Sequence, residues 1–337
     1  MMQPGNTVRT YTYDRWGLPT GRKAGTFQNF GYSFSPLTGN LMSRTDSTRS
    51  ITETFGYDGL NRLTQVNGAT VVTYNGYGGI ATKSGVGTYT YGTPTNSVSY
   101  RLREVNGPDS LAAAAGSAGR SINYGTPSEK AYYILRDGKL TAFDYDEDGN
   151  RVRMRTGTGM NDVWTSLHYV GDRFEYDTVT GSGRLWLDGN AYSAPAVLVR
   201  SGSGTWQLCY IYRDYLGSIT HVTDASGTVL EENSYDPWGR MRDPATQVCY
   251  ASGSEPSLML GRGYTGHEWL PLASLVNMNA RFYDPVIGVF LAPDPFVRSC
   301  CYSSYRERCF WIRYTRCIKT SFEKRFIRIR RVRTSEH

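Results

Sequence analysis

Tyr57-Asp58-Gly59-Leu60-Asn61-Arg62-Leu63 decides the fold. An aromatic residue is followed by Asp, a short polar stretch with Gly and Asn, and a return to an apolar residue. Asp caps a tight turn through its side chain, and Gly or Asn takes the positive-φ position that such turns require. The segment reads as the tip of a β-hairpin. Working outward, the unit recurs as Tyr13-Asp14-Arg15-Trp16-Gly17-Leu18, as Phe34-Ser35-Pro36-Leu37-Thr38-Gly39-Asn40-Leu41 and as Tyr74-Asn75-Gly76-Tyr77-Gly78-Gly79-Ile80. It returns as Tyr145-Asp146-Glu147-Asp148-Gly149-Asn150-Arg151-Val152 and as Tyr235-Asp236-Pro237-Trp238-Gly239-Arg240. The first four copies begin 21, 23 and 17 residues apart.

Between the turns the chain alternates or carries β-branched side chains, as in Thr70-Val71-Val72-Thr73-Tyr74 and Gly87-Thr88-Tyr89-Thr90-Tyr91, a pattern that predicts half-buried strands. One hairpin cannot bury its own face, so the copies are expected to join into a continuous antiparallel sheet, each Tyr stacking on its counterpart in the next unit. An ordinary β-sandwich is the competing architecture, and six copies of one motif argue against it. Few long windows carry helical periodicity. The exception, Ser110–Ala118, reads as a short helix or a linker inside an insertion near 106–130. From Tyr210 the style changes: Tyr212–Thr220 and Val222–Val229 read as two strands joined by Asp224-Ala225-Ser226-Gly227.

Composition limits the function. With 26 Tyr, 37 Gly and 20% charged residues, the chain is too aromatic to be disordered. Its densest apolar stretch, Leu111–Ala115, is far short of the roughly 20 residues of a spanning helix, so no membrane span is expected. The formal charge of +7 is unevenly placed: residues 297–337 hold 12 Lys/Arg against 3 Asp/Glu, leaving 25 basic and 27 acidic groups in 1–296. A near-neutral body gives nucleic-acid binding no electrostatic support. Cys209 and Cys249 lie in the body and four further Cys in the tail. No Cys or His spacing fits zinc, no cofactor is expected, and a chain of this length needs no disulfide framework. Met1–Asn6 opens on polar repeat sequence without a basic and then apolar leader pattern, so no signal peptide is expected in this chain.

The Tyr-Asp-x-x-Gly/Asn-x-Leu unit resembles the YD repeats of RHS proteins and of the related toxin-complex C subunits and teneurins. Residues 210–295 resemble the RHS repeat-associated core, through Tyr215-Leu216-Gly217-Ser218-Ile219, Asp224 to Gly227, Tyr235-Asp236-Pro237-Trp238-Gly239-Arg240 and, most specifically, Ala280-Arg281-Phe282-Tyr283-Asp284-Pro285 through Gly288 and Phe290-Leu291 to Pro293-Asp294-Pro295. The resemblance covers residues 11 to 296. It implies a sheet wound spirally into a hollow shell around a C-terminal toxin or plug, with the core closing one end. The expected organisation is a repeat sheet over 1–209, a core over 210–296, and an atypical Cys/Arg-rich tail over 297–337 that packs poorly. The implied function is that of a shell fragment encapsulating or presenting a C-terminal effector in interbacterial competition. The implied partners are that effector segment, a secretion-system component and an immunity protein, and the parent protein is expected to be secreted or at the cell surface.

In better-studied family members, core aspartates release the C-terminal segment by self-cleavage. Here Asp284 and Asp294 each precede Pro, with Arg281 placed to orient or stabilise charge. Two close carboxylates sharing a proton can divide the roles of acid and base. The other reading is that each Asp-Pro starts a turn. The turn reading is preferred, because the family's further core segment is replaced after Phe296 by Val297-Arg298-Ser299-Cys300-Cys301. That tail reads either as a basic toxin or nucleic-acid-binding segment or, preferably, as the product of a reading-frame change. Gly261-x-Gly263-x-x-Gly266 matches a dinucleotide fingerprint by letter but lacks a βαβ context. His267, His168 and His221 read as structural. A third functional reading is a carbohydrate-binding or adhesion module using exposed Tyr with Trp164, Trp186 and Trp206.

Overall fold

The computed structural model describes residues 7–91, 102–106, 120–124, 130–159 and 161–292. The tail 297–337, Asp294, Ser110–Ala118 and most of the expected insertion lie outside these residues. Within them the chain is all-β, as expected, and every strand pair is antiparallel. The only helical element among the described residues is a 3₁₀ turn, Tyr264–Gly266.

The first sheet follows chain order from β1 (Arg9–Tyr13) through β2 (Pro19–Ala24), β3 (Gln28–Phe34), β4 (Leu41–Asp46), β5 (Ile51–Tyr57) and β6 (Leu63–Val66) to β7 (Ala69–Thr70). A second contains β8 (Val72–Tyr74), β9 (Ile80–Lys83), β10 (Gly87–Tyr91) and β11 (Leu102–Asn106). The third is a meander of eleven strands: β12 (Arg120–Tyr124), β13 (Ala131–Arg136), β14 (Lys139–Tyr145), β15 (Arg151–Gly157), β16 (Val163–Val170), β17 (Phe174–Asp177), β18 (Gly183–Leu187), β19 (Ala196–Arg200), β20 (Gln207–Arg213), β21 (Ile219–Thr223) and β22 (Val229–Glu232). It runs unbroken through residue 210, where the sequence changes style. The remaining strands are a short pair, β23 (Ser234–Tyr235) with β24 (Met241–Arg242), and a small sheet of β25 (Glu268–Leu270), β26 (Leu275–Asn277), β27 (Phe282–Asp284) and β28 (Val289–Phe290).

The repeat turns share one hydrogen-bond plan. At Asp58 the backbone N–H donates to Arg62 O (3.0 Å), Asn61 N–H donates back to Asp58 O (2.9 Å), and Asp58 Oδ1 accepts from Leu60 N and Arg62 N. The same plan holds at Asp14, Asn75, Asp224 and Asp236. Each closes on a residue at positive φ, Asn61 at 60° and Gly239 at 87° among them, conformations that Gly and Asn accept most readily. Asp214 makes a further copy, its Oδ1 accepting from Ser218 N. This corrects the reading of Tyr212–Thr220 as one strand: Asp214–Ser218 is a turn between β20 and β21. Arg213 stands where most other copies have Tyr, so the motif is hidden there.

Among the described residues, the repeat tyrosines Tyr57, Tyr74, Tyr145 and Tyr235 do not stack on one another as expected. Five tyrosines instead reach back and donate the hydroxyl to a main-chain carbonyl of the preceding unit: Tyr57 to Leu41 O (2.8 Å), Tyr74 to Leu63 O (2.9 Å), Tyr91 to Ile80 O (2.8 Å), Tyr145 to Ala131 O (2.9 Å) and Tyr235 to Ile219 O (3.2 Å). A buried phenol needs a partner for its O–H, and these carbonyls supply one. On the opposite face Thr45–Thr52, Thr73–Thr82 and Thr156–Thr165 hydroxyl pairs bridge neighbouring strands, a cross-strand unit of sheet stability.

The apolar cores form where residues 258–291 press on the sheets. Leu260 joins Trp186, Val197, Cys209, Ile211 and Val222. Val286 and Ile287 join Val72, Ile80 and Tyr89. Leu270, Leu275 and Phe282 join Ile134, Phe143 and Met154. One segment therefore supplies the inner packing for strands of both later sheets. The face of β19 and β20 carrying Ala196, Tyr210 and Tyr212 is covered instead by Ala24 and Phe27 of the first sheet.

Candidate functional site

The seam between the wall sheets and the segment 235–291 holds an unusual set of buried charges. Arg262 and Glu268 face each other as bridge partners across the 3₁₀ turn. Each takes an opposite charge from the wall. Arg262 Nη2 lies 2.7 Å from Glu175 Oε1, and Arg151 Nη2 lies 2.7 Å from Glu268 Oε2. Arg184 Nη1 also reaches Glu175 (3.4 Å), and Tyr169 donates its hydroxyl to Glu268 Oε1 (2.5 Å). Burial alone would raise the Glu175 carboxyl; Arg262 and Arg184 reverse this and hold it below its ordinary range. The Tyr169 phenol, buried beside Glu268, is pushed well up.

A second clamp joins the first sheet to β24. Glu53 accepts from both Nη atoms of Arg242 (2.8 and 2.7 Å) and from Arg44 Nε (2.7 Å), while Arg44 Nη2 donates to Tyr235 O (2.7 Å). Burial would raise the Glu53 carboxyl, but the hydrogen bonds and charge of Arg242 and Arg44 hold it down to about 2. A cleft of about 70 Å³ lies beside this clamp, lined in part by Tyr32, Asp214 and Tyr235. It is far below the roughly 300–1,000 Å³ of a pocket for a small-molecule ligand.

Asp284 is buried at the end of β27. Its Oδ1 accepts from Val286 N (3.0 Å) and Ile287 N (3.3 Å), and its carbonyl accepts from Gly288 N (2.8 Å). The second sheet holds this turn from outside: Lys83 Nζ donates to Val286 O (2.5 Å) and Tyr89 OH to Ile287 O (2.7 Å). Burial pulls the Lys83 ammonium down, and it sits 4.5 Å from the centre of the Trp238 ring. Arg281 lies over the Phe290 ring at 3.9 Å. Asp294 lies outside the described residues, and the Oδ1 of Asp284 caps a turn. No group of three or more His, Cys, Asp or Glu among the described residues is arranged to hold a metal.

Sequence reasoning missed the clamps. Only Glu53 left a trace: in Ile51-Thr52-Glu53-Thr54-Phe55 it occupies the apolar side of the alternation, and Glu53 and Phe55 are both buried. Of the surface aromatics expected, Trp164 and Trp206 are exposed, but Trp186 is fully buried against Leu260. The glycine run at 261–266 leads into β25, not into a helix. His267 Nδ1 meets Thr265 Oγ1 at 2.7 Å.

Residues 205–308 match the family model for the teneurin YD-shell. The chain is 26% identical over 159 residues to a tRNA3(Ser)-specific nuclease WapA of Bacillus spizizenii, covering 47% of this chain and 6% of that one. It is 27% identical over 162 residues to salivary gland surface protein 1 of Aedes aegypti, covering 45% and 5%. It thus spans only about a twentieth of the length of these relatives. Its fold is shared with the crystal structure of TcdB2-TccC3-Cdc42, at a TM-score of 0.66 and 18% identity over 86% of this chain and 17% of that one. With Asp-turned, tyrosine-tied hairpins, a match to the YD-shell model over residues 205–308 and a shared fold, the chain is similar to RHS/YD-repeat proteins.

Proposed function

We propose that this chain is a section of shell wall together with the core that closes it, and that it encloses or presents a C-terminal effector segment. The observation that carries this reading is the seam: residues 235–291 sit on the wall through shared apolar clusters and buried charge clamps, as a closing element must. The likeness to a protein described as a tRNA-specific nuclease supports an effector-linked role. In this reading the parent protein acts outside the cell or at its surface in competition between bacteria, and an immunity protein and a secretion component are its partners. The test is limited trypsin digestion of the folded chain. Residues 297–337, with 12 Lys/Arg, resist cleavage if they are enclosed. Rapid removal of that segment from an intact body overturns enclosure.

Asp284 belongs to the structural side of this reading, because its Oδ1 is already engaged by two backbone N–H groups. The rival, self-cleavage by Asp284 with Asp294 and Arg281, is tested by intact mass. One full-length species is expected. A discrete C-terminal loss abolished by Asp284→Asn would establish the aspartate as catalytic.

A further inference from the structure

A strained threonine sits in the 3₁₀ turn that leads into β25. Thr265 has φ +52° and ψ +20°, a left-handed conformation that is an outlier for a β-branched side chain. The surroundings enforce it. Gly266 N–H donates to Gly263 O (2.9 Å), Gly263 N–H to His267 O (2.9 Å), and Ile219 N–H of β21 to Gly263 O (3.0 Å). Thr265 N–H donates to Ser218 Oγ (3.1 Å). The threonine hydroxyl lies between two groups: Oγ1 is 2.7 Å from the carbonyl oxygen of Tyr264, the residue before it, and 2.7 Å from Nδ1 of His267. That carbonyl oxygen also accepts the His267 N–H (3.0 Å). The imidazole stands edge-on to the Tyr192 ring, with centroids 5.1 Å apart. Thr265 and His267 are both half-buried, so small solutes can reach the turn.

We propose that Thr265 and His267 form an acyl-shift site at the Tyr264–Thr265 peptide bond, open to a small amine nucleophile. In the tautomer with its proton on Nε2, the imidazole takes the Oγ1 proton at Nδ1. Rotation about Cα–Cβ carries Oγ1 from the carbonyl oxygen to the carbonyl carbon of Tyr264, where it adds, and the His267 N–H stabilises the oxyanion. The C–N bond then breaks, the imidazolium gives its proton to the Thr265 nitrogen, and the Tyr264 acyl group remains on Oγ1 as an ester. No atom is gained or lost. The peptide bond that imposes the strained φ is absent from the ester, so the strain favours the shift. The freed amine stays beside Ser218 Oγ and reverses the step, so the chain keeps its full length until a nucleophile stronger than water takes the ester. No carboxylate takes part and the parent mass is kept, which separates this site from a cut at Asp284.

The test is incubation of the folded full chain with neutral hydroxylamine, read by intact mass. The expected products are residues 1–264 ending in a hydroxamate and residues 265–337 beginning with a free amine. Cuts at Asn67-Gly68, Asn75-Gly76 and Asn106-Gly107, which hydroxylamine attacks by another route, differ in mass. Thr265→Val is expected to abolish the 264–265 cut, Thr265→Ser to retain it, and His267→Gln to slow it about hundredfold. Unfolding in urea is expected to abolish it, because the strain and the Thr265–His267 contact are both lost. Thr265→Ser and His267→Gln carry the test if Thr265→Val does not fold. The proposal is overturned if the wild type shows no cut at 264–265, if the cut is lost in Thr265→Ser, or if it proceeds undiminished in Thr265→Val, in His267→Gln or in urea.

Discussion

Replacing Glu53 by Gln tests whether the buried clamp between the first sheet and β24 stabilises the shell through charge. The side chain is only 9% exposed and meets Arg242 and Arg44 at 2.7 Å, so solvent screening is slight. Its carboxyl falls from 4.5 to about 2, a difference worth about 3 kcal/mol at 1.36 kcal/mol per pKa unit. The sign follows from linkage: a carboxyl depressed in the folded state stabilises above its unfolded pKa and loses that contribution as pH falls toward the folded value. Glu53→Gln keeps the shape and removes the titration. Urea unfolding followed by tryptophan fluorescence is expected to show wild type ahead by about 3 kcal/mol at pH 6, about 2 at pH 3.5 and less than about 1 at pH 2.5. A gap that stays constant over this range refutes the reasoning, because it would make the loss one of packing and not of charge.

Three further outcomes are expected. Arg262→Ala leaves Glu175 buried with only the longer contact to Arg184 and should cost about 3–5 kcal/mol in urea unfolding, whereas Arg173→Ala, at a 65% exposed site, should change little. Tyr57→Phe and Tyr74→Phe each remove one hydroxyl-to-carbonyl bond and should each cost about 1 kcal/mol. In wild type, burial pushes both phenols up to about 12, so absorbance at alkaline pH should show a late-titrating class diminished in each variant; their contribution to stability is present below pH 10 and lost between about 10 and 12. Gly239→Ala should destabilise more than Gly17→Ala in thermal melts. Both sit at positive φ, but a Cβ at 239 would run into the Tyr264 ring while one at 17 meets nothing.

The sequence by itself determined the turns, and with them the all-β antiparallel class. The bonds that make an Asp-x-x-Gly turn all lie within four residues, so residue type and spacing suffice to specify them. The same locality made Asp284 legible as a turn cap. Where the motif lost its Tyr, at Arg213-Asp214, the reading slipped by one turn although the physics was the same. Tertiary structure alone decided the site. Glu53 finds Arg242 across 189 residues, Glu175 finds Arg262 across 87, and Lys83 finds Val286 across 203. Apart from Glu53, which shares the apolar side of its strand with Phe55, these charged groups carry no local mark of burial; only the arrival of residues 235–291 on the inner wall removes water from them and supplies a partner. Trp186 is the same case among the aromatics, its ring covered by a leucine 74 positions further along the chain. Burial is a property of the assembled layers, and no local pattern of residues encodes which distant segment will cover which face.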